Sequence, residues 1–81
     1  MRLDDYLSTV RLIKRRTVAK DMIDGGLVKL NGKSVKPAHP VNIGDFVRLT
    51  IGGTKIDIEV LEIPLRSVRK EECEKFYKRL T

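Results

Sequence analysis

An α+β fold, with helices first and a small antiparallel sheet after them, is the class this sequence predicts. Three observations predict it. Apolar residues recur at helical spacing through residues 3–24. After Gly25-Gly26 the apolar period changes to two. Glycine pairs and an Asn-Gly step then cut the chain into short extended runs.

The first helix is predicted by Leu3, Leu7 and Val10, with Tyr6 beside them. That spacing gives an amphipathic segment of about two turns. Asp4 and Asp5 suit its N-terminal end, where the helix dipole is positive. A second helix is predicted to start near Arg15 to Thr17 and to run to Asp24. Its apolar side is Val18, Ala19, Met22 and Ile23, and Arg16 and Lys20, four apart, share an outward face. Gly25-Gly26 ends it, because glycine accepts the left-handed conformation at a helix C-terminus.

Val28 and Leu30 then alternate with Leu27 and Lys29, predicting a strand. Asn31-Gly32 is a strong hairpin signal, since both turn residues need positive φ. A short return strand is expected from Lys33 to Lys36, stopped by Pro37. A loop from Pro37 to Asn42 follows, then a turn at Gly44-Asp45. Val47, Leu49 and Ile51 alternate with Phe46, Arg48 and Thr50. After Gly52-Gly53, Ile56, Ile58 and Val60 alternate with Lys55, Asp57 and Glu59 and are expected to face the core. Pro64 breaks this pattern. Cys73, Phe76, Tyr77 and Leu80 mark one stripe of an expected C-terminal helix from about Arg69 onward. The division is a single domain, 1–81, with a core at 1–51, an additional strand within 52–64 and the C-terminal helix within 65–81.

With 81 residues, 41% hydrophobic and 35% charged, the chain is expected to fold around a small core with little room for an enclosed active site. Cys73 is the only cysteine, so neither a disulfide framework nor a cysteine zinc site can be built, as suits a reducing compartment. No apolar run approaches the roughly 20 residues that span a bilayer. The start, Met1-Arg2-Leu3-Asp4, has no apolar signal region. These features predict a complete cytoplasmic protein.

Catalytic residues are scarce. His39, between Ala38 and Pro40, reads as a solvated loop histidine because no second His or Cys could complete a site with it. Cys73 lies on the apolar stripe and reads as packing. No Gly-rich phosphate loop occurs, and the glycines fall at turns. The expectation is therefore a protein that is not an enzyme and takes no cofactor or metal.

The charge pattern carries more. Net charge is +6 with pI near 9.8. It is +5 over residues 1–36, −2 over 37–64 and +3 over 65–81. Between Arg11 and Lys20 stand five cations, Arg11, Lys14, Arg15, Arg16 and Lys20, and no acid. Such a run on a helix pair cannot neutralise itself locally, and its self-repulsion burdens a small domain. A polyanionic partner relieves it. Residues 15–24 contain no Asn, Gln or Ser to read base edges, which disfavours a DNA-reading helix pair. Of the four aromatics, Tyr6, Phe46, Phe76 and Tyr77, three read as packing, so a stacking platform for unpaired bases is not expected. Phosphate and ribose contacts to structured RNA are expected instead.

An ordered set of residues runs along the first half of the chain. It comprises Met1-Arg2-Leu3-Asp4 with Leu7, then Arg16-Thr17 with Ala19-Lys20 and Ile23, then Gly26 with Val28. It continues with Asn31-Gly32, Val35, Pro37, Val41 and Gly44-Asp45. This set resembles the S-four RNA-binding domain, the module of ribosomal small-subunit protein four, found also in pseudouridine synthases and tyrosyl-tRNA synthetases. The match runs from residue 1 to about 51. The run Arg11 to Thr17 is similar to that of small stand-alone members: the ribosome-associated heat-shock proteins and the RqcP-type ribosome quality-control factors. The chain length agrees with the quality-control type, since the heat-shock type carries a long basic extension.

The resemblance implies a small alpha-L fold, two N-terminal helices packed on a twisted antiparallel sheet, with RNA along the helix pair and the adjoining hairpin. It implies Arg2 and Arg16 as anchors. Arg11, Lys14, Arg15 and Lys20 extend the patch, and Lys33 and Lys36 flank it. Asp4 matches a family acid that orients a neighbouring arginine. Many relatives place a Ser near the second helix start where this chain has Lys14-Arg15, which leaves Thr17 as the substitute N-cap. The implied function is non-enzymatic binding of rRNA and tRNA on the large ribosomal subunit, in quality control or rescue of stalled nascent-chain–tRNA complexes. Peptidyl-tRNA and a quality-control protein are the implied partners, and the chain is expected to act as a monomer. The alternatives are an RNA-targeting accessory subunit of a modifying enzyme, a generic structured-RNA-binding heat-shock protein, or a protein adaptor docking through the C-terminal stripe.

Overall fold

Fourteen buried apolar side chains, drawn from both helices, three strands and two connecting segments, form one core. The computed structural model describes all residues from Met1 to Thr81. The order is α1 (Leu3–Thr9), α2 (Arg16–Asp24), β1 (Val28–Leu30), β2 (Phe46–Ile51), β3 (Thr54–Val60), a 3₁₀ helix (Lys70–Lys75) and β4 (Tyr77–Arg79). The four strands form one antiparallel sheet in the order β1-β2-β3-β4. The two helices pack on one face of it, and the other face is open.

α1 buries Leu3, Tyr6 and Leu7, and Val10 follows into the core. Its first N–H groups are capped from a distance. The Leu3 N–H donates to the His39 carbonyl at 2.9 Å and the Asp4 N–H to the Pro37 carbonyl at 3.1 Å. Arg2 bridges Pro40, and the Val41 N–H donates to the Met1 carbonyl at 3.0 Å. The loop after the Asn-Gly turn is thus strapped across the start of the chain, which satisfies backbone groups a helix end leaves orphaned. At its other end Arg11 adopts φ 63 and turns the chain toward α2.

α2 places Ala19 and Ile23 in the core and leaves Val18 45% exposed. Its expected apolar side was too wide by that residue. The N-cap is Arg15, without a side-chain cap, and Thr17 lies inside the first turn, so it does not substitute for the Ser of the relatives. The C-terminus is a Schellman arrangement. The Gly26 N–H donates to the Ile23 carbonyl at 3.1 Å and the Leu27 N–H to the Met22 carbonyl at 2.9 Å. Gly26 takes φ 78, which its missing Cβ makes inexpensive.

Asn31-Gly32 forms the expected tight turn, with φ 51 and 80 and two bonds between Leu30 and Lys33 at 2.8 and 3.0 Å. The return strand from Lys33 to Lys36 does not form; only the Leu30–Lys33 bridge exists. β1 pairs with β2 instead, Val28 opposite Leu49 and Leu30 opposite Val47. Asn31 secures that pairing. Its N–H donates to the Phe46 carbonyl at 2.7 Å, and its Oδ1 accepts the Phe46 N–H at 2.9 Å. The chain beyond Lys33 leaves the sheet to cap α1.

The C-terminal helix is the larger correction. Residues Lys70–Lys75 form a single 3₁₀ stretch, and Tyr77–Arg79 pair with β3, Val60 opposite Tyr77 and Ile58 opposite Arg79. The Phe76 carbonyl explains the break. It accepts the Tyr6 hydroxyl at 2.7 Å, the Leu61 N–H at 2.9 Å and the Glu62 N–H at 3.2 Å. A continuing helix would need that carbonyl for the Leu80 N–H. The Leu80 N–H instead donates to the Asp57 carbonyl at 2.8 Å, so the open edge of β3 is covered. Of the expected stripe, Cys73 is buried, Phe76 and Tyr77 are half-buried against the core, and Leu80 is exposed.

Tyr6→Phe removes the hydroxyl that reaches Phe76. We expect a loss of about 1 kcal/mol in urea denaturation. Amide exchange at Leu80 should quicken while that at Val47 changes only with global stability. Unchanged Leu80 exchange would show that the hydroxyl does not hold this segment.

Candidate nucleic-acid interface

The two helix starts meet at one carboxylate. Asp4 lies in the first turn of α1 and Arg16 is the first residue of α2. Asp4 is only 1% exposed, just beneath two guanidinium groups whose side chains are 43% and 50% exposed. Arg2 binds it in bidentate fashion, Nε to Oδ1 at 2.9 Å and Nη2 to Oδ2 at 2.9 Å. Arg16 adds Nε to Oδ2 at 3.5 Å. The Asp5 N–H donates to Oδ1 at 2.7 Å. Bidentate pairing fixes the plane of a guanidinium as well as its position.

Burial pushes the Asp4 carboxyl upward. The hydrogen bonds from Arg2, the Asp5 N–H and the charges of Arg16 and Arg2 outweigh it and hold the group below its ordinary value of 3.8. Asp4 therefore stays ionised and holds two half-exposed arginines at one point, leaving a net positive charge there.

The other cations divide into two groups. Lys14, Arg15 and Lys20 are exposed and none is paired with an acid. They surround Arg16 by chain position, Lys20 one turn further along the same face. Lys36 is exposed immediately before Pro37, whose carbonyl accepts the Asp4 N–H. Arg11 points away. Its Nε donates to the Val68 carbonyl at 3.3 Å, and it borders a shallow depression with Lys14, Lys70 and Glu74. Arg11 thus ties the C-terminal segment to the helix pair as well as carrying charge. Lys33 is exposed at the edge turn, and no contact joins it to Asp4.

His39 is exposed, with Nδ1 2.9 Å from the Pro40 carbonyl. Three positions escaped the sequence reading. Lys70 joins Arg11 and Lys14 only because the C-terminal segment folds back. Phe46 and Arg48 stand together on the open face of the sheet. The alternation 46–51 held that signal, since a charge at position 48 marks the outward face and position 46 shares it.

Asp4→Asn keeps the shape and removes the charge. A carboxyl whose folded value is lowered adds stability above its unfolded value, and that stability is lost as pH falls through the folded value. We expect the variant to be less stable by about 1–2 kcal/mol at pH 7, a figure reduced by the half-exposed partners. The gap to the natural chain should begin to narrow near the ordinary carboxyl value and close only below the lowered folded value. Denaturation curves at several pH values check this, and a gap independent of pH would refute the electrostatic account.

Known proteins share this chain's sequence pattern and fold. A family model described as the S4 domain matches residues 1–47. The RQC P-site tRNA stabilizing factor of Streptococcus pneumoniae is 40% identical over 77 residues, covering 95% of this chain and 86% of that protein. The protein of the same name in Bacillus subtilis is 38% identical, covering 95% and 88%. The trimeric structure of Vibrio cholerae heat shock protein 15 superposes with a TM-score of 0.91 at 32% identity, covering 98% of this chain and 80% of that one. On the matched helices, strap and sheet, the chain belongs to the S4 domain family.

Proposed function

We propose that this chain is a non-enzymatic RNA-binding factor of ribosome-associated quality control in the cytoplasm. It binds structured RNA of the large ribosomal subunit and steadies a peptidyl-tRNA there, so that a stalled nascent chain can be processed. The observation that carries the reading is the Arg2–Asp4–Arg16 clasp, set among the unpaired cations Lys14, Arg15, Lys20 and Lys36. The relatives named as P-site tRNA stabilizing factors give the ribosomal setting.

The chemistry is electrostatic and steric. Guanidinium groups held by a buried carboxylate lose less side-chain entropy on meeting a phosphate than free ones do. The loose lysines around them add charge that releases counterions without selecting sequence. Arg2 and Arg16 therefore set orientation, and the remaining cations set most of the salt-dependent affinity. Arg11 contributes to the patch and also ties down the C-terminal segment. Lys33 acts as a flanking contact from the edge turn.

The test is affinity against salt concentration for vacant large subunits, large subunits carrying peptidyl-tRNA, and plain duplex RNA. We expect the peptidyl-tRNA complex to bind most tightly. Equal binding to all three would reduce the chain to a generic basic RNA-binding protein. Arg16→Ala is expected to weaken binding across RNA sequences and to lower the salt slope by about one. An unchanged slope would overturn the assignment of Arg16.

A further inference from the structure

The face of the sheet turned away from the helices is not an idle polar surface. Phe46 is 50% exposed there, a large apolar ring in a strand whose inward neighbours Val47 and Leu49 are buried to 1% or less. Arg48 follows it on the same face. Two residues along a strand place their side chains about 7 Å apart. Arg48 is held against the sheet by Asp57 on β3, Nε to Oδ1 at 2.7 Å and Nη2 to Oδ2 at 3.0 Å. Its plane is fixed as the clasp fixes Arg2.

The cross-strand register adds cations around this pair. Lys29 stands opposite Arg48 on one side, and Glu59, which faces Phe46, has Lys78 as its other neighbour. Lys55 is exposed further along β3. Lys29, Phe46, Arg48, Lys55 and Leu80 line one open depression. The face thus presents four cations against Asp57 and Glu59, and Asp57 is already engaged by Arg48. Lysines at the centre of a surface disfavour a protein partner, whose contact core excludes them. An aromatic ring and a fixed guanidinium, interleaved with lysines, fit unpaired nucleotides: bases stack on the planes and phosphates meet the ammonium groups.

We infer that the open sheet face is a second RNA-binding surface, taking a short unpaired stretch with successive bases on Phe46 and Arg48. Two strand rises match the spacing an extended single strand spans in one nucleotide. The inference rests on the RNA-binding reading of the chain but on none of the clasp residues. The molecule measures 28 × 24 × 22 Å, so with helices on one side and this surface on the other, the two sites engage different segments of RNA.

The experiment is fluorescence anisotropy of a labelled short oligouridine and of a labelled RNA duplex, titrated with the full chain and three variants. Phe46→Ala should weaken oligouridine binding by about tenfold or more and leave duplex binding within twofold of the natural chain. Arg16→Ala should do the reverse. Phe46→Leu keeps apolar area but loses the flat ring, so it should weaken oligouridine binding nearly as much as Phe46→Ala. Oligouridine binding that is absent in the natural chain, or unchanged in Phe46→Ala, would overturn the inference. So would full retention by Phe46→Leu, which would show that the flat ring does not carry the binding. Thermal melting of each variant confirms folding, which a half-exposed ring does not govern. Absence of duplex binding in the natural chain, with oligouridine binding intact, would count against the helix-face reading and not against this one.

Discussion

One carboxylate organises the N-terminal half of the molecule. Asp4 takes hydrogen bonds from Arg2 and from the Asp5 N–H and an ion pair from Arg16. It does so from a position removed from water, where a charge is tolerated only if it is well paired. The constraint is mutual. The acid needs both arginines to remain ionised, and the arginines need the acid to stand side by side despite their like charge. The geometry of α1 against α2 is bound into the same arrangement, because one arginine precedes the first helix and the other opens the second.

This makes the interface a matter of orientation more than of amount of charge. Many small proteins carry a surplus of lysines, and a surplus alone attracts any polyanion. A guanidinium whose fork is already occupied on one side presents its remaining N–H groups in one direction only. The S4 family match and the likeness to the tRNA stabilizing factors fit a protein that must hold an RNA in a defined pose. The absence of acids between Arg11 and Lys20 leaves the surrounding lysines free to strengthen that hold.

Much of this was legible in the sequence, and the parts that were not share a cause. Helical spacing located α1 and α2, alternation located β2 and β3, and Gly26 marked the end of α2. The role of Asp4 followed from the family resemblance and agrees with its position. What periodicity missed depends on hydrogen bonds between residues far apart in the chain. The stripe Cys73, Phe76, Tyr77 and Leu80 has helical spacing, yet the Phe76 carbonyl is claimed by Tyr6, Leu61 and Glu62 and the helix stops. Lys33 to Lys36 follow a sound hairpin turn, yet their segment is drawn away to cap α1 and β2 takes its place beside β1. The contact of Arg11 with the Val68 carbonyl, 57 residues away in sequence, was likewise invisible to local spacing.

The strap across α1 also fixes an order of assembly. The first helix in the chain depends on the most distant partners, because its capping carbonyls belong to Pro37 and His39 and its tyrosine is anchored at Phe76. A nascent chain that has exposed only the helix pair holds its arginines and Asp4 without the frame that aligns them. Long-range closure of this kind slows folding relative to a chain of local contacts. The frame that aligns the cationic face is therefore complete only when the chain has closed from Met1 to Phe76.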